Sequence, residues 1–326
     1  MRARPLRRTV RAVGLAALAT VGLVLAGCAA SSADDGGPRP TPSSSLPSST
    51  DAIGVVADVY RTRVDPARGG IQLSVTNQGD APLALDGARL DSPLLSAPLE
   101  RRDEVLIPAG ATLDLPMTLV DPRCPGFDAR AAPAATAPSP EAVLLVPLAD
   151  GSTAELRVPT TDRIGQWAAW VESACFAEAF GERVGLTVSA VGTGAGGADG
   201  TIAVELIVTA LPGPVGDDGG ADVVRLESVG GTVLLGALDA DGDRAEGIPL
   251  SIAIDTSDPP NAPIVVPLRF SPNRCDAHAI ADDKQGTLFR VGAAIGERRG
   301  IVTVVSDEAT KEAVYAAITA ACAADD

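Results

Sequence analysis

The chain has 326 residues, enough for about two domains, with a formal charge of −16 and aromatic side chains making up only 3%. That acidity argues against a nucleic-acid partner, because phosphate binding needs a basic surface. One histidine and two methionines leave no imidazole cluster and no copper-delivery set.

Residues 1–11 carry Arg2, Arg4, Arg7, Arg8 and Arg11 and no acid, and Ala12 to Leu25 is an unbroken small and apolar run. A basic start followed by a short apolar stretch is a secretory signal pattern. It is shorter than the roughly 17–25 residues that span a bilayer. Leu25-Ala26-Gly27-Cys28 resembles a bacterial lipobox. The resemblance implies a signal peptide over 1–27, cleavage before Cys28, and a diacylglyceryl group with further palmitate-type acylation on Cys28. The membrane is then a partner through the Cys28 lipid, since two or more chains give stable anchoring. Loss of residues 1–27 removes those five arginines, so the mature protein is more acidic still. Residues 28–50 are rich in Ser, Pro, Gly and Asp and read as a disordered tether from the lipidated cysteine.

From residue 51 onward the chain repeats itself. Arg89-Leu90-Asp91-Ser92 matches Arg225-Leu226-Glu227-Ser228, and a proline eight residues before the cysteine of an Arg-Cys pair occurs at Pro116/Arg123-Cys124 and at Pro267/Arg274-Cys275. A helix-like segment ending in a cysteine closes each copy, at Cys175 and at Cys322. The repeat is domain-sized and predicts a first domain over 51–180 and a second over 181–326. Ile71, Leu73 and Val75 alternate with polar residues, as do Leu113, Leu115, Met117 and Leu119. Val143–Leu148 and Thr153–Val158 flank an Asp150-Gly151 hairpin turn. In the second copy Ile202, Val204, Leu206 and Val208 alternate, then Leu250, Ile252 and Ile254. Many short strands argue for a mainly β fold of two tandem β-sandwiches, each closed by a C-terminal helix. In the first helix Thr161 or Asp162 is the expected cap, and Ile164, Trp167, Val171 and Ala174 share one apolar face. In the second, Ser306 or Asp307 is the cap, and Val314, Ala317, Ile318 and Ala321 share a face. The strand, Asn-x-Gly turn and Pro-Leu-x-Leu continuation from Ile71 to Leu85 resemble bacterial immunoglobulin-like domains. That resemblance implies architecture only, since the buried tryptophan and inter-sheet cysteines of antibody domains are missing.

With Cys28 taken by lipid, four cysteines remain, and they allow three pairings. The repeat selects Cys124 with Cys175 and Cys275 with Cys322. The alternative is a metal or redox site, which the lack of a Cys-x-x-Cys disfavours.

Reactive constellations are scarce. His278 is the only histidine, and no Gly-x-Ser-x-Gly elbow accompanies it. Lys284 and Lys311, the only lysines, sit in no P-loop. Gly192–Gly200 and Gly213–Gly220 read as long inter-strand loops. Asp239, Asp241 and Asp243 alternate in a turn and are candidate calcium ligands, but glycine and glutamate are lacking where an EF-hand loop needs them. Trp170 is the candidate binding anchor, and the irregular stretch from Ala129 to Pro140 is a second place for contact. No cofactor is expected. The arginine-rich, lysine-poor, alanine-rich composition resembles that of high-GC actinobacterial proteins. The reading is therefore a non-enzymatic, lipid-anchored protein at the extracytoplasmic face of the cell membrane, binding or scaffolding an envelope protein or wall component. A solute-binding lipoprotein of an importer and an envelope hydrolase using carboxylates are the alternatives.

Overall fold

A computed structural model describes residues 54–124, 127–128, 137–190, 200–212, 223–276, 278, 280 and 286–324. The leader, Cys28 and the tether lie outside them, as do residues 191–199, 213–220 and 129–136, which hold most of the two glycine-rich loops and of the Ala129–Pro140 stretch. The described residues fold as a mainly β protein with two sheet-rich regions, both within the unit Ser48–Asp326.

In the first region the strand order is β5 (Leu99–Arg101), β4 (Gly87–Asp91), β8 (Glu141–Pro147), β9 (Thr153–Thr161), β1 (Val55–Tyr60), β2 (Gly70–Asn77), β7 (Thr112–Thr118). β3 (Leu83–Leu85) and β6 (Val105–Ile107) form a separate pair. In the second region a five-stranded sheet runs β10 (Val184–Ala190), β11 (Ile202–Ala210), β16 (Ile264–Pro272), β13 (Leu235–Leu238), β14 (Arg244–Ala245). A four-stranded sheet runs β15 (Gly247–Asp255), β12 (Val223–Gly230), β17 (Leu288–Ile295), β18 (Arg298–Val305).

The two orders correspond. β5-β4-β8-β9 matches β15-β12-β17-β18, and β1-β2-β7 matches β10-β11-β16. The sequence anchors fall on matching strands: Arg89 on β4 and Arg225 on β12, Pro116 on β7 and Pro267 on β16. One pairing distinguishes the copies. In the first, β1 and β9 run parallel through Ala57↔Thr160 and Asp58↔Thr161, welding both halves into one seven-stranded sheet. The Thr161 hydroxyl donates to Asp58, which also pairs with Arg163 at 3.1 Å. The outer strands β5 and β7 approach each other, Arg101 Nη1 lying 3.5 Å from the Pro116 carbonyl. This region is therefore a near-barrel rather than the expected two-sheet sandwich. In the second copy the two sheets remain separate, with one core between them.

The strands form where the alternation places them, since successive side chains point to opposite faces; β11 buries every second residue, while β2 is buried on both faces, Gln72 and Ser74 included. Ile71, Leu73 and Val75 are fully buried, as are Ile202, Val204 and Leu206. The Asp150-Gly151 hairpin is present, Gly151 adopting φ 84° and its N–H donating to the Leu148 carbonyl. Asn77 is buried where β2 ends. Its side-chain oxygen accepts from the Gly79 N–H, and its amide nitrogen donates to the carbonyls of Ala81, Ile107 and Pro108. That satisfies the amide and pins the turn.

Helix α1 (Asp65–Arg68) is one short turn. Helix α2 (Gln166–Gly181) starts later than the sequence suggests. Thr161 ends β9, Gly165 at φ 68° is the cap residue, and Asp162 reaches forward to accept the Ala168 N–H at 3.1 Å. Ile164 precedes the helix and is 70% exposed, so it is not part of the apolar face. Gln166 fixes the helix start by bonding both the N–H and the carbonyl of Arg61, just beyond β1. Helix α3 (Glu308–Ala324) is capped by Asp307, which accepts the Thr310 N–H at 2.7 Å. Ser306 bonds the Thr287 carbonyl instead. The α3 face of Val314, Ala317, Ile318 and Ala321 is buried as the spacing predicts.

Helix α2 does more than close its own region. Trp167 and Val171 belong to the first core, but Phe176, Ala179 and Phe180 belong to the second. Nine residues at about 100° each place Trp167 and Phe176 on opposite sides of the helix. Phe127, beyond Cys124, also packs against the second core, with its ring 6.2 Å from that of Phe176. The guanidinium of Arg298 lies over Phe127 at 4.4 Å, as a cation–π contact, and pairs with Glu172. Arg183 lies over the same ring at 5.7 Å and donates to the Ala179 carbonyl. Disulfides join Cys124 to Cys175 and Cys275 to Cys322, each with Cα atoms 5.4 Å apart. Each closes a loop of about 50 residues, worth roughly 4 kcal/mol in the chain-entropy model.

A Cβ on Gly300 would lie 2.3 Å from the Phe176 ring, so β18 accepts α2 only because this position is glycine. Gly300→Ala should lower stability by about 1–3 kcal/mol through overpacking, measured by denaturant unfolding; an unchanged midpoint would place Phe176 elsewhere. The Asp307 carboxyl sits below its ordinary value because the Thr310 hydroxyl and N–H donate to it. A depressed folded pKa adds stability above the unfolded value near 4, which is lost as pH falls through the folded value. Asp307→Asn should therefore be less stable than the parent at pH 7, with the gap closing on acidification, measured by thermal melts across pH 2–7.

Candidate functional site

A concavity lies on the outer side of the first region, among the described residues. It is an open groove of about 590 Å³ at the end of β4 and the start of β8. In a strand, residues two apart share a face. Arg89 and Asp91 on β4 and Glu155 and Arg157 on β9 therefore project to one side, with Glu141 and Val143 of β8 between them. Arg89 Nε pairs with Asp91 at 2.7 Å and Nη1 with Glu155 at 3.2 Å. Arg157 pairs with Glu141 at 2.7 Å and with Glu155 at 3.3 Å. The carboxylates of Asp91 and Glu155 hold the Arg89 guanidinium well above its ordinary pKa. Val143 is fully buried although it faces outward, because both arginines lie opposite it in the ladder and their stems cover it.

The rest of the groove comes from the β4–β5 connection and the segment before Cys124. Ser92, Pro93, Leu95, Ser96, Pro98, Glu100 and Arg123 add to the lining, with Arg123 bonded to the same segment that carries Ser96. Arg123 is positioned by its backbone N–H, which donates to the Leu94 carbonyl, and by the disulfide at the next residue. Its Nη2 donates to the Ser96 carbonyl at 3.3 Å. Glu100 pairs with Arg102 at 2.8 Å. The groove thus holds carboxylates already matched to guanidinium groups, an arrangement suited to polar recognition.

The sequence-level candidates fall elsewhere. Trp170 is half-buried and packs on Trp167, ring centroids 5.1 Å apart, at the edge of the first core. Asp239, Asp241 and Asp243 do lie together in one turn, but Asp239 Oδ1 accepts the N–H groups of Asp241 and Asp243, and Gly242 adopts φ 91°. Arg269 donates to the carbonyls of Asp239 and Ala240, placing a cation against the turn. Among the described residues no group of three or more His, Cys, Asp or Glu side chains is placed to hold a metal ion. His278 is exposed in a helical turn, its N–H bonded to the Asp276 carboxylate. Cys28 lies outside the described residues. The groove partners Glu100, Glu141, Glu155 and Arg157 were not singled out by sequence. The alternating charges of Arg89-x-Asp91 and Glu155-x-Arg157 were the available signal, and strand pairing 66 residues apart was needed to join them.

No protein-family model matches the chain, and no curated protein matches it. Among solved structures, red sea bream transglutaminase aligns at 13% identity and TM-score 0.21, covering 78% of this chain and 31% of that one. The YadV chaperone aligns at 15% and 0.20, covering 77% and 100%, and a biofilm-associated protein BSP domain at 9% and 0.21, covering 82% and 61%. Overlap this slight carries no argument about function.

Added calcium at about 1 mM, ample for most sensor-type sites, should leave the melting temperature of the protein unchanged. A rise that Asp241→Asn abolishes would restore the Asp239–Asp243 turn as a cation site.

Proposed function

We propose that the protein is a lipid-anchored, extracytoplasmic component of the cell membrane with a non-catalytic binding or scaffolding role. Its two β-rich regions, the first a near-barrel and the second a pair of sheets, stand off the membrane on the 28–50 tether. The observation that carries the reading is the pair of disulfides, one in each region, which suits an oxidising compartment and leaves Cys28 as the odd cysteine within a lipobox-like sequence.

Two further features support it. The carboxylates of the groove are each paired with a guanidinium, which disfavours one of them serving as a general acid at neutral pH. Where the regions meet, the space that an importer-type protein would use for solute is filled by Phe127, Phe176, Glu172 and Arg298. A binding surface on the outside of the body is therefore favoured over a closing cleft.

Cys28→Ala should accumulate as an uncut precursor lacking acyl chains, detected by intact-mass spectrometry of membrane fractions. A normally processed, membrane-held product from that variant would overturn the anchor.

A further inference from the structure

We propose that the groove beside β4 is a binding site for an organic carboxylate, with the Arg123 guanidinium as the group that holds it. The proposal deepens the binding reading above and rests on it for its biological setting, but its chemistry comes from the groove alone.

The charges in and around the groove decide the ligand class. Asp91, Glu100 and Glu141 line it, and each is paired, with Arg89, Arg102 and Arg157 respectively. Glu155 is shared between Arg89 and Arg157. Arg123 alone among the groove's described charges has no carboxylate partner; one nitrogen reaches a backbone carbonyl. The lining itself holds Arg89 and Arg123 against Asp91, Glu100 and Glu141, and the flanking Arg102 and Arg157 pair with two of those acids, so the acids here are offset by cations within a chain of net charge −16. That pairing lessens the repulsion that an acidic molecule offers an anion, and the charge without a carboxylate partner is the Arg123 cation.

The geometry suits the same ligand. A guanidinium presents a planar fork that matches a carboxylate with two parallel hydrogen bonds. The backbone beneath Arg123 is fixed by its N–H bond to the Leu94 carbonyl, by the Leu95↔Pro122 bridge and by the adjacent Cys124–Cys175 disulfide. A ligand therefore meets a carrier that is already ordered, which lowers the entropic cost of binding. Pro93, Ala97 and Pro98 give the lining apolar surface, and Ser96 and Ser139 add hydroxyls. The complementary molecule bears a carboxylate beside a short apolar group, as at the C-terminus of a peptide or in a free short-chain acid.

The test is calorimetric titration of the purified full chain with acetyl-dialanine, its C-terminal amide and propionate. The expected result is binding of acetyl-dialanine, at least about tenfold weaker binding of the amide, and affinity that falls with added salt. Propionate binding as tightly as acetyl-dialanine assigns the site to free acids; weaker propionate binding assigns it to peptide ends. Arg123→Gln should abolish the acid-over-amide preference at an unchanged melting temperature, Arg123→Lys should retain part of it, and Arg274→Gln should leave it intact. Equal binding of acid and amide, no binding of either at about 10 mM, where an mM-level site would be half-filled or more, or full binding by Arg123→Gln would each overturn the proposal. Because the readout is independent of processing at Cys28, its failure is separable from failure of the anchor.

Discussion

The two cores of this protein share one helix, and the rest of the arrangement depends on that sharing. A sixteen-residue helix has room for two apolar faces half a turn apart. α2 puts Trp167 into the first core and Phe176 with Phe180 into the second. Neither half can be withdrawn without exposing large aromatic surface, which opposes any opening of the junction. Cys175 lies just before the second apolar group, so the disulfide to Cys124 holds the helix where its allegiance changes. The same disulfide brings the chain around Phe127 against the second region, between two buried arginines.

The duplication explains the fold and also its asymmetry. Both copies use the same strand order, yet a two-residue parallel pairing between β1 and β9 turns the first into a single curled sheet. The corresponding strands in the second, β10 and β18, do not pair, and β18 instead receives Phe176 at Gly300. One copy closes on itself, and the other uses the equivalent strand to accept its neighbour's helix. The groove uses β4, β8 and β9 side by side, an order that β12, β17 and β18 share, so its charged face depends on the residues of the first copy and not on the closure.

Local sequence determined much of this. Period-two alternation marked the strands around Ile71 and Ile202, Asp-Gly marked the β8–β9 turn, and the spacing of Val314, Ala317, Ile318 and Ala321 marked the face of α3. Those signals are local, and neighbouring residues are enough to express them. The cysteine pairing was legible for a different reason: the repeat converts two separate loops into one pattern, and both bonds follow it.

Tertiary structure decided the rest. A single-face reading of α2 failed at Ile164 and missed Phe176 and Phe180, because the helix has two faces serving two cores and periodicity detects only one. Only the fold showed that Trp170 stacks against Trp167 at the edge of the first core. The Asp239–Asp243 turn reads as a cation site by composition, while its carboxylate serves the turn's own N–H groups. The groove needed three strands brought together from distant parts of the chain before its charges could be paired and Arg123 recognised as uncommitted. Sequence specifies which groups are present and their local period; only folding fixes which opposite charges meet, and so which charge is left over.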